Sequence, residues 1–136
     1  MTQVERRGCA YHEAGHAIVG RGLGRRVSKV EIGIDGDPSK GRTHFDDDMS
    51  LCIADGLALC CAGLASERMF GAPLNGRALF LDRYRAEQIL ASVPCGRWPA
   101  FKRSGYRRAW RILRGNRDAV IALAGELIKK GFSHCG

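Results

Sequence analysis

The sequence predicts a mainly helical α+β fold with one small β-hairpin, built as a single domain over residues 1–136. Three observations predict it. Long alanine- and leucine-rich stretches carry apolar residues at three- and four-residue spacing, the period of a helix with one buried face. One short segment, "VSKVEIGID", instead alternates apolar with polar residues, as a half-buried strand does. A turn cluster, "DGDPSKG", then separates it from a second short strand-like segment. A chain of 136 residues is long enough to bury a core without disulfide support.

The first helix is expected from residue 2 or 5 to residue 23. Ala10, Ala14, Ala17 and Ile18 favour it, and Gly22 and Gly24 end it. In the strand, Val30, Ile32 and Ile34 share one face against Lys29 and Glu31, and "RTHFD" reads as the returning strand. Asp46, Asp47 and Asp48, followed by Ser50, are placed to cap a second helix and complement its dipole. That helix, ending near Phe70, is apolar nearly all round, which marks it as central. Gly71, Pro73 and Gly76 break the chain before a third helix over residues 77–92, which "VPCGRWP" ends. The last helical region has candidate breaks near Ser104–Gly105 and Gly115–Asn116. It closes with "RDAVIALAGELIKKG", where Val120, Leu123, Leu127 and Ile128 form the core face and Gly131 the C-cap.

The net charge of +8 is local. No acid falls between Glu87 and Asp118, while residues 97–117 hold eight arginines and lysines; elsewhere 14 basic residues balance 14 acidic ones. Trp98, Phe101, Tyr106 and Trp110 interleave with these cations. Arginine-rich helices are commonly solvated faces with their aromatics in the core, so the patch predicts an acidic protein partner or substrate rather than nucleic acid. The six cysteines form no CxxC pair, and Cys52, Cys60 and Cys61 lie in an apolar stretch where cysteine acts as a small hydrophobe. The opening "MTQVERRG" lacks a signal-peptide core, and the longest apolar run, residues 51–65, is interrupted by Asp55 and too short to span a bilayer. The expectation is a soluble, cytoplasmic chain with reduced thiols and no membrane segment.

Against this background "AYHEAGHAIVG" stands out, because it sets two histidines and a glutamate in a small, apolar helical run. His12 and His16, at i and i+4, project from one side of the helix one turn apart, a spacing that fills two corners of a zinc tetrahedron. Glu13 sits about 100° round the helix, beside the metal's open corner, where it can act as general base toward water. Gly15 removes a side chain between the ligands so that another backbone can approach, at about 1 kcal/mol of helix stability. The alternative is a capped helix whose histidines bond ordinary partners.

Zinc needs a third protein ligand. In "ALFLDRYRAEQIL", Leu79, Asp82, Ala86 and Ile89 share the inward face. A buried carboxylate there costs several kcal/mol unless compensated, either by a metal ion or by an arginine. Glu67 is a further candidate, as a ligand or, by preference, as the hydrogen-bond partner of a ligand histidine. Asp55 interrupts the second helix and either orients His12 or His16 in the same way or pairs with an arginine. His44, on the return strand, reads as a solvated strand residue, one that would lie near the cleft if that strand lines it.

Taken together, "YHEAGHAIVG", "VSKVEIG", "GLALCCAGLASERMFG", "LDRYRAEQIL" and "NRDAVIALAGELIKKG" resemble, in order, the peptidase domain of the FtsH-type ATP-dependent zinc metalloproteases. The resemblance covers nearly the whole chain. It implies a helical zincin-like peptidase domain, with His12, His16 and Asp82 as zinc ligands, Glu13 as catalytic base and Glu67 as the acid of the family's "GGRAAE" element. Phe80 and Leu81 replace the polar residues usual before the aspartate, the segment from Asp82 to Asn116 is shorter than the family's, and the 136 residues contain neither the ATPase module nor membrane helices. The function this implies is ATP-independent, zinc-dependent hydrolysis of peptides or unfolded protein segments, whether general or directed at one regulator. The alternative function is a catalytically silent zinc-containing module that binds an acidic protein or nucleic acid through residues 97–117.

Overall fold

The computed structural model describes residues 2–46 and 50–135. Five α-helices and a three-stranded antiparallel sheet make up the described residues, the mainly helical α+β class that the sequence predicts. In chain order they are α1 (Thr2–Gly22), β1 (Val27–Ile32), β2 (Gly41–Phe45), α2 (Ile53–Met69), α3 (Gly76–Ile89), α4 (Trp98–Arg114), α5 (Arg117–Lys130) and β3 (Phe132–His134). Among the described residues no helix is long and apolar enough to cross a membrane.

Small residues let α1 run through the middle of the molecule. Ala10, Ala14 and Ala17 are fully buried, and Gly15 faces α2 so closely that a β-carbon would stand 2.7 Å from the Ala62 carbonyl oxygen. The expected close approach at Gly15 is therefore between α1 and α2. In turn α2 packs α1 on one side and α4 on another, which is why it is apolar nearly all round. The principal core gathers Val19, Val30, Leu113, Val120 and Leu127 around these small residues. A smaller cluster of Leu57, Ala86 and Leu90 joins α2 to α3.

β1 is the central strand, in the order β2-β1-β3. Its alternation is not the regular one expected. A bulge between Val27 and Lys29 lets Val27, Val30 and Ile32 all face inward. Ile34 has left the strand for a 3-10 turn in which Gly33, Asp35 and Gly36 have positive φ. β3 was not foreseen; it pairs Ser133 with Val30 directly after Gly131, whose φ of 86° and bond to the Leu127 carbonyl form the expected C-cap of α5.

Two expectations are corrected. The cap of α2 is Cys52, and no side chain bonds there; Asp46 and Ser50 lie upstream of it, while Asp47 and Asp48 are outside the described residues. The helix is also unbroken at Ser104–Gly105. Gly105 is buried against α2, where a β-carbon would stand 2.9 Å from that of Leu57, so the glycine serves close packing at about 1 kcal/mol of helix propensity. The break at Gly115–Asn116 is real and separates α4 from α5.

A candidate metal centre

Two elements converge on one point. α1 presents His12 and His16 from successive turns, and α3 presents Asp82; all three are buried. Asp82 Oδ2 lies 2.9 Å from both His12 Nε2 and His16 Nε2, and the two nitrogens lie 3.1 Å apart. This triangle of nitrogen and oxygen donors can hold a metal ion. The apolar-face position of Asp82 thus resolves inward, toward the histidines. Its other oxygen, Oδ1, stands 3.6 Å from the exposed Arg85 guanidinium, so the arginine alternative contributes only at the edge.

Two of the three donors are held from behind. Glu67, with no solvent exposure, takes His12 Nδ1 onto Oε1 at 2.5 Å. A proton donated from Nδ1 to this carboxylate leaves Nε2 as the nitrogen that meets Asp82 and His16. Glu67 thus bonds one of the two histidines, as its preferred reading expects. Gly63 makes room on α2, since a β-carbon there would overlap the His12 ring. Glu67 Oε2 also accepts the Asn75 backbone N–H at 3.2 Å. The Asn75 side chain caps α3 by accepting from Ala78 N, and its Nδ2 donates to the Ser39 carbonyl at 2.7 Å. Asn75 therefore ties the α3 start to α2 and the hairpin loop, and so places Asp82.

The electrostatics follow from this packing. Burial opposes the charged form of His12, but its hydrogen bonds to Asp82 and Glu67 outweigh that and hold its pKa at about 10. Burial likewise opposes ionisation of Asp82, yet the neighbouring His16 and the bonds from both histidines hold its carboxyl well below the usual carboxylate range. Without a metal, the two carboxylates flanking His12 favour its protonated form. A divalent cation would take the place of that Nε2 proton.

Glu13 is 7% exposed and lines the same cleft, about 360 Å³ in volume, as His12, His16 and Asp82. Thr43 positions it, lying 3.0 Å from Glu13 Oε1 and 3.1 Å from its backbone carbonyl. Strand pairing explains why: Thr43 is opposite Val30, whose side chain faces α1. Neither Thr43 nor Asn75 was singled out from sequence, although Asn75 three residues before Ala78 is a helix N-cap pattern.

Asp55 corrects the remaining site expectation. It reaches neither histidine and instead pairs with Arg108 of α4 at 2.8 Å, because its side of α2 faces α4. His44 pairs with Glu31 on the outer face of the sheet, as a solvated strand residue does. The six cysteines are free thiols. Compared with protein-family models and with curated proteins, the chain matches none.

Proposed function

We propose that this chain is a zinc-dependent endopeptidase of the FtsH type, with His12, His16 and Asp82 as zinc ligands and Glu13 as general base, acting on peptides or unfolded protein segments. The observation that carries the proposal is the donor triangle. Three ligands of a tetrahedral zinc with bonds of about 2.0–2.1 Å stand roughly 3.3–3.4 Å apart, and edges of 2.9, 2.9 and 3.1 Å need only slight opening to fit. Two imidazoles and one carboxylate are also the donor chemistry of catalytic zinc sites, which keep a corner free.

Zinc bound there would supply a Lewis acid that polarises a carbonyl and acidifies water at neutral pH. The rest falls to the protein. Glu67 fixes the His12 tautomer, and Asn75 fixes α3 and hence Asp82. Thr43 engages one Glu13 oxygen and leaves the other to take a proton from water and return it to the leaving amine. A domain that only held zinc would have no use for a carboxylate buried in the cleft and positioned by a strand hydroxyl, which favours hydrolysis over a silent binding module.

The test is Glu13→Gln, assayed for zinc content and for cleavage of casein. The variant should keep its zinc and lose cleavage by about 100-fold or more. A zinc-loaded wild type that cuts no faster than the variant would refute the proposal.

A further inference from the structure

A second concavity, about 960 Å³ in volume, runs between α3, α2 and α4. It shares Asp82 with the metal cleft but uses the other side of α3. Ala78, Leu81 and Arg85 line the cleft, whereas Leu79, Phe80 and Arg83 line the groove. Leu64, Leu79 and Tyr106 make its lining apolar, and Phe80, at 69% exposure, stands at its wall. Tyr84, at 57% exposure, extends this apolar outward face of α3. The surroundings are basic: Arg68, Arg83, Lys102, Arg103 and Arg107 contribute cations. The acid that lines the groove, Asp82, has its charge engaged by His12 and His16.

Charge therefore selects an anionic occupant and the lining an apolar one. The backbone selects further. The groove is walled by helices, whose N–H and C=O groups are paired internally, so a bound chain gains no strand-like ladder and must satisfy its own backbone. A helix does that. The aromatics of the arginine-rich segment are packed against the protein, Tyr106 as part of the groove's own lining. Trp98 donates from Nε1 to the Val93 carbonyl at 2.8 Å and packs with Phe101 on the Leu57 cluster, while Tyr106 and Trp110 pack on the main core. They are not a free platform for stacking bases.

We propose that this groove binds an acidic amphipathic helix, with apolar residues on its floor and carboxylates against Arg83, Arg103 and Arg107. That helix is the recognition segment of the protein that the cleft cuts; this last statement alone rests on the peptidase reading.

The experiment is fluorescence anisotropy on full-length Glu13→Gln protein, so that cleavage does not enter. The probe is a fluorescein-labelled helical peptide with leucines on one face and glutamates on its flanks. Replacing those glutamates by lysines should weaken binding at least about tenfold, and so should Arg103→Glu/Arg107→Glu or Phe80→Ser, all at exposed positions. Arg114→Glu, outside the groove, should leave affinity within about twofold. Circular dichroism establishes that each variant is folded. Equal binding of the lysine peptide, no binding at about 1 mM, an affinity indifferent to the groove variants, or tighter binding of a single-stranded DNA oligonucleotide each overturns the proposal. Peptide binding as expected in a protein that never cleaves supports the groove and refutes only the peptidase reading.

Discussion

Replacing Glu67 by glutamine removes one charge from a side chain that solvent does not reach. In the native protein Oε1 meets His12 Nδ1 at 2.5 Å and Oε2 accepts the Asn75 N–H at 3.2 Å. Glutamine has only one accepting oxygen. If that oxygen stays on Asn75, the amide NH2 faces His12 Nδ1, which must then accept; the imidazole proton moves to Nε2, the atom the metal needs. If it stays on His12, the NH2 faces the Asn75 N–H, donor against donor, at the start of α3. Either outcome loses a buried charge-assisted hydrogen bond, about 1.5–3 kcal/mol. For a domain of this size that lowers Tm by roughly 5–12 °C. It should also weaken zinc about 10- to 100-fold, since the ligand loses its orientation and basicity. Chelator-competition titration gives the affinity, and thermal melts with and without chelator give the stability. An affinity within about twofold of wild type, whatever the melt does, would sink the idea that Glu67 sets the His12 tautomer.

Gly63→Ala should displace the His12 ring, cost about 1–3 kcal/mol and abolish stoichiometric zinc binding; Gly125→Ala, on the open face of α5, should be neutral or gain up to about 1 kcal/mol in the same urea melts. Because His12 titrates near pH 10 without metal, zinc binding at pH 7 should release about one proton, read as buffer-dependent enthalpy in calorimetry; a buffer-independent enthalpy contradicts the protonated cluster. In the metal-free protein the raised His12 pKa stabilises fully below its ordinary 6.5 and is lost as pH rises through about 10, while the lowered Asp82 pKa stabilises above 3.8 and is lost on acidification, so urea stability should fall at both ends. A disulfide reagent at pH 8 should label the exposed Cys52 and Cys95 first; burial pushes the Cys9 and Cys60 thiols up to about 12 and Cys61 to about 11, and early labelling of Cys9 would contradict the packing of α1.

Periodicity made most of this molecule readable in advance. His12 and His16 share a face because they are one turn apart, and Asp82 points inward because Leu79, Ala86 and Ile89 do. Glu67 could be read because it follows the long apolar run of residues 56–65 near the end of its helix. What escaped was information that only tertiary packing supplies. Asp55 lies on a helix with no polar face, so nothing local says whether it turns toward α1 or α4, and it turned to Arg108. Gly105 looked like a break because propensity is local, whereas the approach of α2 is not. β3 spans three residues, too few for an alternation, and exists because β1 offers it an edge. Thr43 reaches Glu13 across 30 positions of sequence, through the register that pairs it with Val30.

The placement of α1 has a mechanical consequence. This helix touches α2, α4, α5, β1 and β2, and its Arg6 guanidinium clasps the Ile128 and Leu127 carbonyls at the far end of α5. The segment bearing both imidazoles and Glu13 is thus the spindle on which five of the other elements are mounted. On the proposed peptidase reading, fitting an incoming chain falls to the periphery, in β2 and the exposed flank of α3. The two imidazoles therefore sit on a helix packed against five neighbours, so local opening at the edge of the fold leaves them in place.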